Sequence, residues 1–175
     1  LVQLTLDNGG RALGAHYMGT GKTISAIVTA KMAMAMRDKE DPTKQHKNAP
    51  KKVLIVAPLN TVEQWRQATF DYDGGCTVVG AGSSDVPVDA YLANVDRGVD
   101  TSDLVVVGPE YFTLNQEKLR KAGFDGLIVD EAHMGLKNEN AQRNKAINEW
   151  NPDMKLLQLL TGTPITTGPA DIMEY

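Results

Sequence analysis

Val53-Leu54-Ile55-Val56-Ala57, Leu104-Val105-Val106-Val107 and Leu127-Ile128-Val129 are short, unbroken apolar runs separated by stretches of helical periodicity. A run that stays apolar at both odd and even positions suits a strand covered on both faces. Strands of that kind joined by helices form right-handed crossovers, which implies an α/β domain around a parallel sheet. Residues 11–15 supply a strand ahead of a glycine-rich turn, Thr77-Val78-Val79 a weaker strand, and residues 155–160 a sixth. Helices are expected over residues 23–37, 61–70, 88–95 and 140–150. Thr61 is placed to cap the second of these, with Glu63 in its first turn. Residues 38–52 are polar, with Pro42 and Pro50, and predict an exposed loop; residues 80–84 predict a turn, and residues 168–175 the start of a further helix.

The chain has 175 residues, enough for one ordinary domain with a real core. No apolar run approaches the roughly 20 residues that span a membrane. Cys76 is the single cysteine, so an internal disulfide is impossible and a reducing, intracellular compartment is expected. The net charge of −4 supplies no broad basic surface, so any nucleic-acid contact has to be local.

Two motifs carry the chemistry. The first is His16-Tyr17-Met18-Gly19-Thr20-Gly21-Lys22-Thr23. Gly19 and Gly21 permit a tight turn whose N–H groups face an anion, and the helix that follows aims its N-terminus at the same point. Lys22 adds charge for the outer phosphates of a nucleotide, and Thr23 offers a hydroxyl to Mg²⁺. The second is Gly126-Leu127-Ile128-Val129-Asp130-Glu131-Ala132-His133. Asp130 falls at the carboxyl end of a strand, where sites form in parallel sheets. It can hold Mg²⁺, and Glu131 beside it can orient and deprotonate water. His133 has no second His or Cys at ligand spacing, so coupling or packing is expected of it.

These motifs resemble the DEAH-box superfamily-two helicases, and the rest of the chain is similar to the SWI/SNF-type branch of double-stranded-DNA translocases. HYMGTGKT stands where that family usually has DEMGLGKT, with His16 and Thr20 as departures. Residues 53–65, from Val53 through Pro58, Leu59 and Trp65, resemble motif Ia. VVVGPEYF resembles motif Ib, Lys137-Asn138 echoes the segment after the box with one extra residue, and Leu160-Thr161-Gly162-Thr163-Pro164 matches motif III. The motifs keep the family's order and cover nearly the whole chain.

The resemblance implies a three-layer RecA-like P-loop NTPase lobe, spanning residues 1–175, with a mainly parallel central sheet. In that fold the motif III strand lies between the phosphate-loop strand and the acidic strand. It implies ATP and Mg²⁺ as cofactors, with Met18, Gly19, Thr20, Gly21, Lys22 and Thr23 around the nucleotide. Thr23 and Asp130 would hold Mg²⁺, and Glu131 would be the base. His133, Thr161, Gly162 and Thr163 would link the nucleotide site to nucleic acid. Pro58, Leu59 and Asn60, with Pro109 and Glu110, would touch the backbone of double-stranded DNA. A family member also has an upstream Gln segment for adenine and a second RecA-like lobe in cis with arginine fingers. This chain is expected to be a first lobe truncated at both ends. An RNA helicase or restriction motor shares this lobe, and a nucleotide-dependent interaction module with little turnover is the other class. Trp65 could stack on a base, but its place on an amphipathic helix favours packing.

Overall fold

The computed structural model describes residues 5, 8–15, 19–80, 85–99, 102–135 and 141–162. Its centre is a six-stranded sheet in the order β1-β6-β5-β2-β4-β3, parallel at every pairing. The strands are β1 (Arg11–Ala15), β2 (Val53–Val56), β3 (Thr77–Val79), β4 (Leu104–Val107), β5 (Gly126–Val129) and β6 (Leu156–Thr161). The helices are α1 (Lys22–Met34), α2 (Val62–Asp73), α3 (Val88–Asp96), α4 (Pro109–Leu114), α5 (Gln116–Lys121) and α6 (Ala141–Trp150). Strand β6, although last in the chain, lies between β1 and β5, as the resemblance implied.

The unbroken apolar runs follow from two separate cores. Successive side chains of a strand point to opposite faces. Val53 and Ile55 of β2 face one core, with Leu104, Val106 and Ile128 and with Ala26, Ile27 and Trp65 of α1 and α2. Leu54 and Val56 face the other, with Val105, Val107, Leu127 and Val129 and with residues of α3 to α6. β2, β4 and β5 are buried along their whole lengths, so a polar residue at any position there would lose its water.

Several expected boundaries move. Helix α1 ends at Met34, not Arg37, and the chain folds back: Gln45 Nε2 donates to the Met34 carbonyl at 2.8 Å. Helix α2 runs on to Asp73. Thr61 stands at its N-cap position, as expected, but makes no side-chain capping bond; its hydroxyl donates to the Pro58 carbonyl at 2.9 Å. The short helices α4 and α5 have no counterpart in the sequence reading. Pro109 begins α4 at a position where a missing N–H costs nothing, and Asn115 is the junction between the two. Of the turn expected over 80–84 all but Gly80, and the helix start over 168–175, lie outside the described residues. Among the described residues no helix is long and apolar enough to cross a membrane.

Candidate functional site

The described part of the first motif, residues 19–23, and the second motif sit at the carboxyl end of the sheet. β1 feeds the glycine loop, in which Gly19 has φ 77° and Gly21 φ 80°. A side chain is rarely tolerated at such angles, and among the described residues no atom lies within 4 Å of where a Cβ would project at either residue. The loop therefore leaves open space above its backbone. Helix α1 starts at Lys22 with no side-chain cap and no acidic residue in its first turn. With no carboxylate in that turn, the positive end of the helix dipole favours an anion there.

β5 delivers the acidic pair. The Asp130 N–H donates to the Val56 carbonyl at 2.8 Å, which extends the sheet ladder by one residue. The Asp130 side chain is held twice: Trp65 Nε1 donates to Oδ2 at 2.9 Å, and the Glu131 N–H donates to Oδ1 at 3.0 Å. Glu131 adopts a left-handed backbone, φ 48°. Burial pushes the Asp130 carboxyl above its usual value; the Trp65 and Glu131 donors and the Lys22 charge pull against that, and the Glu131 charge adds to it.

Gly19, Gly21, Lys22 and Thr23 share one cleft of about 540 Å³ with Asp130 and Glu131. That volume suits a small-molecule ligand. Thr61 and Gln64 line the same cleft. His133 Nδ1 lies 2.9 Å from Thr161 Oγ1 and 3.2 Å from Glu131 Oε2. One imidazole therefore joins the acidic turn after β5 to the end of β6, with Gly162 next in the chain.

A divalent cation fits this donor set. Among the described residues no cluster of three or more His, Cys, Asp or Glu could hold a metal by itself. Mg²⁺ keeps several waters and binds through one or two protein groups plus substrate phosphates. One half-buried carboxylate in a cleft shared with a Thr hydroxyl and an anion-binding loop is that kind of site.

Pro58, Leu59 and Asn60 follow β2, and Pro109 and Glu110 follow β4, its neighbour in the sheet. Leu59 is 75% exposed, and its Cδ2 lies 2.9 Å from where a Cβ on Gly108 would be. The loop after β2 and the start of α4 therefore meet at the same end of the sheet as the cleft. Met18 and Thr163 lie outside the described residues, as do Lys137, Asn138 and Pro164. Sequence reasoning placed Trp65 in the packing, where it is 0% exposed, but did not find its bond to Asp130. The only available signal was a lone tryptophan on the helix that follows a strand neighbouring β5.

Residues 5–174 match the SNF2-related domain family. Over 178 residues the chain is 26% identical to the SWI/SNF-related matrix-associated actin-dependent regulator of chromatin subfamily A-like protein 1 homolog of Caenorhabditis elegans, covering 98% of this chain and 22% of that protein. It is 30% identical to the Bos taurus subfamily A-like protein 1, covering 98% of this chain and 16% of that one. The chain thus spans about a fifth of these curated relatives or less. Among solved structures, the Sulfolobus solfataricus SWI2/SNF2 ATPase core in complex with dsDNA aligns with TM-score 0.66 and 19% identity, over 99% of this chain and 32% of that one. The Pyrococcus furiosus Hef helicase domain aligns with TM-score 0.67 and 18% identity, over 99% of this chain and 34% of that one. At that identity the likeness is one of fold, the RecA-like α/β lobe.

Proposed function

This chain belongs to the SNF2-related domain family, and from that premise we propose that it is the ATP-binding lobe of an ATP-driven motor that tracks double-stranded DNA. The observation that carries the reading is the shared cleft: an anion-binding loop with Lys22 faces Asp130 and Glu131 across one cavity. In this reading the loop N–H groups from Met18 to Gly21 and the Lys22 ammonium hold the nucleotide's phosphates, and Thr23 and Asp130 hold Mg²⁺. Bound Mg²⁺ supplies neutralising charge at the phosphates. Glu131 then orients a water in line with the terminal phosphate and takes its proton, so that rate depends on position and charge. Its contact with His133, and through it with Thr161, links that event to β6.

The loop Pro58-Leu59-Asn60 and the first turn of α4, Pro109-Glu110, offer the track a backbone-contacting edge. Contacts of that kind use N–H groups and hydroxyls and need no basic field, which suits a chain of net charge −4. The SWI2/SNF2 core it resembles in fold is itself bound to dsDNA. A second RecA-like lobe in cis completes the site, and work on DNA places the protein inside the cell. The test is ATP hydrolysis by the full-length protein with duplex DNA, single-stranded DNA or duplex RNA. Stimulation by duplex DNA is expected; turnover indifferent to all three would replace the motor reading with that of a nucleotide-dependent interaction module.

A further inference from the structure

Trp65 is the largest fully buried side chain on the α1/α2 side of the sheet, packed with Ile55, Leu104 and Ile128. Packing alone does not account for its indole N–H, which reaches the Asp130 carboxylate at 2.9 Å. The second carboxylate oxygen is held from a different direction by the Glu131 N–H at 3.0 Å. Two donors on two elements fix the carboxylate plane, while Asp130 still lines the cleft. From this geometry we infer that Trp65 is a positioning residue for the divalent cation: its N–H holds Asp130 in the orientation that presents the remaining lone pairs to the metal. The inference rests on the reading of Asp130 as the carboxylate that holds Mg²⁺.

The other tryptophan supplies a comparison within the same molecule. Trp150 is 1% exposed and packs edge-on against Phe112 with ring centroids 5.2 Å apart. Its Nε1 has no hydrogen-bond partner among the described residues. Both tryptophans fill a core, and Trp65 alone donates to a carboxylate of the cleft. Partners that orient a metal's ligands are worth about 10–100-fold in affinity or activity.

The experiment uses the full-length protein with Trp65→Phe, and with Trp65→β-(3-benzothienyl)alanine, which keeps the indole shape and puts sulfur where the N–H was. Binding of a fluorescent ATP analogue is measured in EDTA and across a Mg²⁺ titration. Both variants are expected to bind nucleotide in EDTA as the parent does, and to require about 10–100-fold more Mg²⁺ for the metal-dependent gain. Trp150→Phe should keep the parent's Mg²⁺ midpoint. An unshifted midpoint in the benzothienyl variant overturns the inference, as does an equal loss of binding with and without Mg²⁺, which marks a purely structural role. If the Phe variant does not fold, the benzothienyl variant decides. Asp130→Asn separates the two levels. If it leaves the Mg²⁺ requirement unchanged, the reading of the site fails and takes the inference with it. If it shifts the requirement and the Trp65 variants do not, only the inference fails.

Discussion

Glu131 is, among the described residues, the one non-glycine residue with a positive φ, at 48°. That conformation costs about 1–2 kcal/mol and persists only where the surroundings hold it. Here its N–H is tied to Asp130 and its carboxylate to His133. In the full-length protein Glu131→Gln is expected to retain ATP binding and to lose about 10²–10⁴-fold in turnover, read by single-turnover hydrolysis. Parental hydrolysis by that variant would remove Glu131 from the role of base. Asp130 gives a prediction in pH. Its carboxyl is raised above 3.8 in the folded, metal-free chain, chiefly by burial. The folded state therefore holds the proton more tightly than the unfolded one, and this group's contribution to stability is fullest in acid. That contribution fades as pH rises from 3.8 through the raised folded value. Denaturation of parent and Asp130→Ala at several pH values in EDTA should show the parent losing ground across that window. Lys22, Asp130 and Glu131 were legible in the sequence because each lies in a contiguous motif. The Trp65 donor was not, because its acceptor is 65 positions away.

Helix α1 and strand β5 do opposite jobs in the site. The start of α1 must stay open, and Gly21 at φ 80° permits this. Gly21→Ala would place a side chain in left-handed backbone, with an expected destabilisation of about 1–2 kcal/mol and weaker nucleotide binding. Thermal melts and nucleotide titration of the same preparation check both effects. β5 must stay rigid so that Asp130 is held at its end. Ile128, 0% exposed in the middle of β5, is expected to lose about 2–5 kcal/mol when cut to Ala, measured by chemical denaturation. The strands were legible because burial on both faces writes itself as unbroken apolar runs. α4 and α5, six residues each, were not: neither is long enough to display a helical period.

Residues 1–175 expressed alone should be a weak or inactive ATPase. In the proposed motor the charge that develops on the terminal phosphate would be met by an arginine from the second lobe, a contribution of about 10³–10⁵ in rate for arginine fingers. Steady-state hydrolysis by the purified monomer, with and without duplex DNA, decides this. Robust DNA-stimulated turnover would show the lobe to be self-sufficient. What the sequence determined by itself was local: strand identity, the glycine loop, the acidic pair and the order of the motifs, each readable within a span of a few residues. The tertiary structure decided what joins them. It set Leu59 against Gly108, bridged Glu131 to Thr161 through His133, and tied Trp65 to Asp130. The physical reason is that periodicity and motif spacing report how each segment meets water and its own neighbours. A hydrogen bond between distant segments exists only after sheet register and helix packing have brought donor and acceptor together.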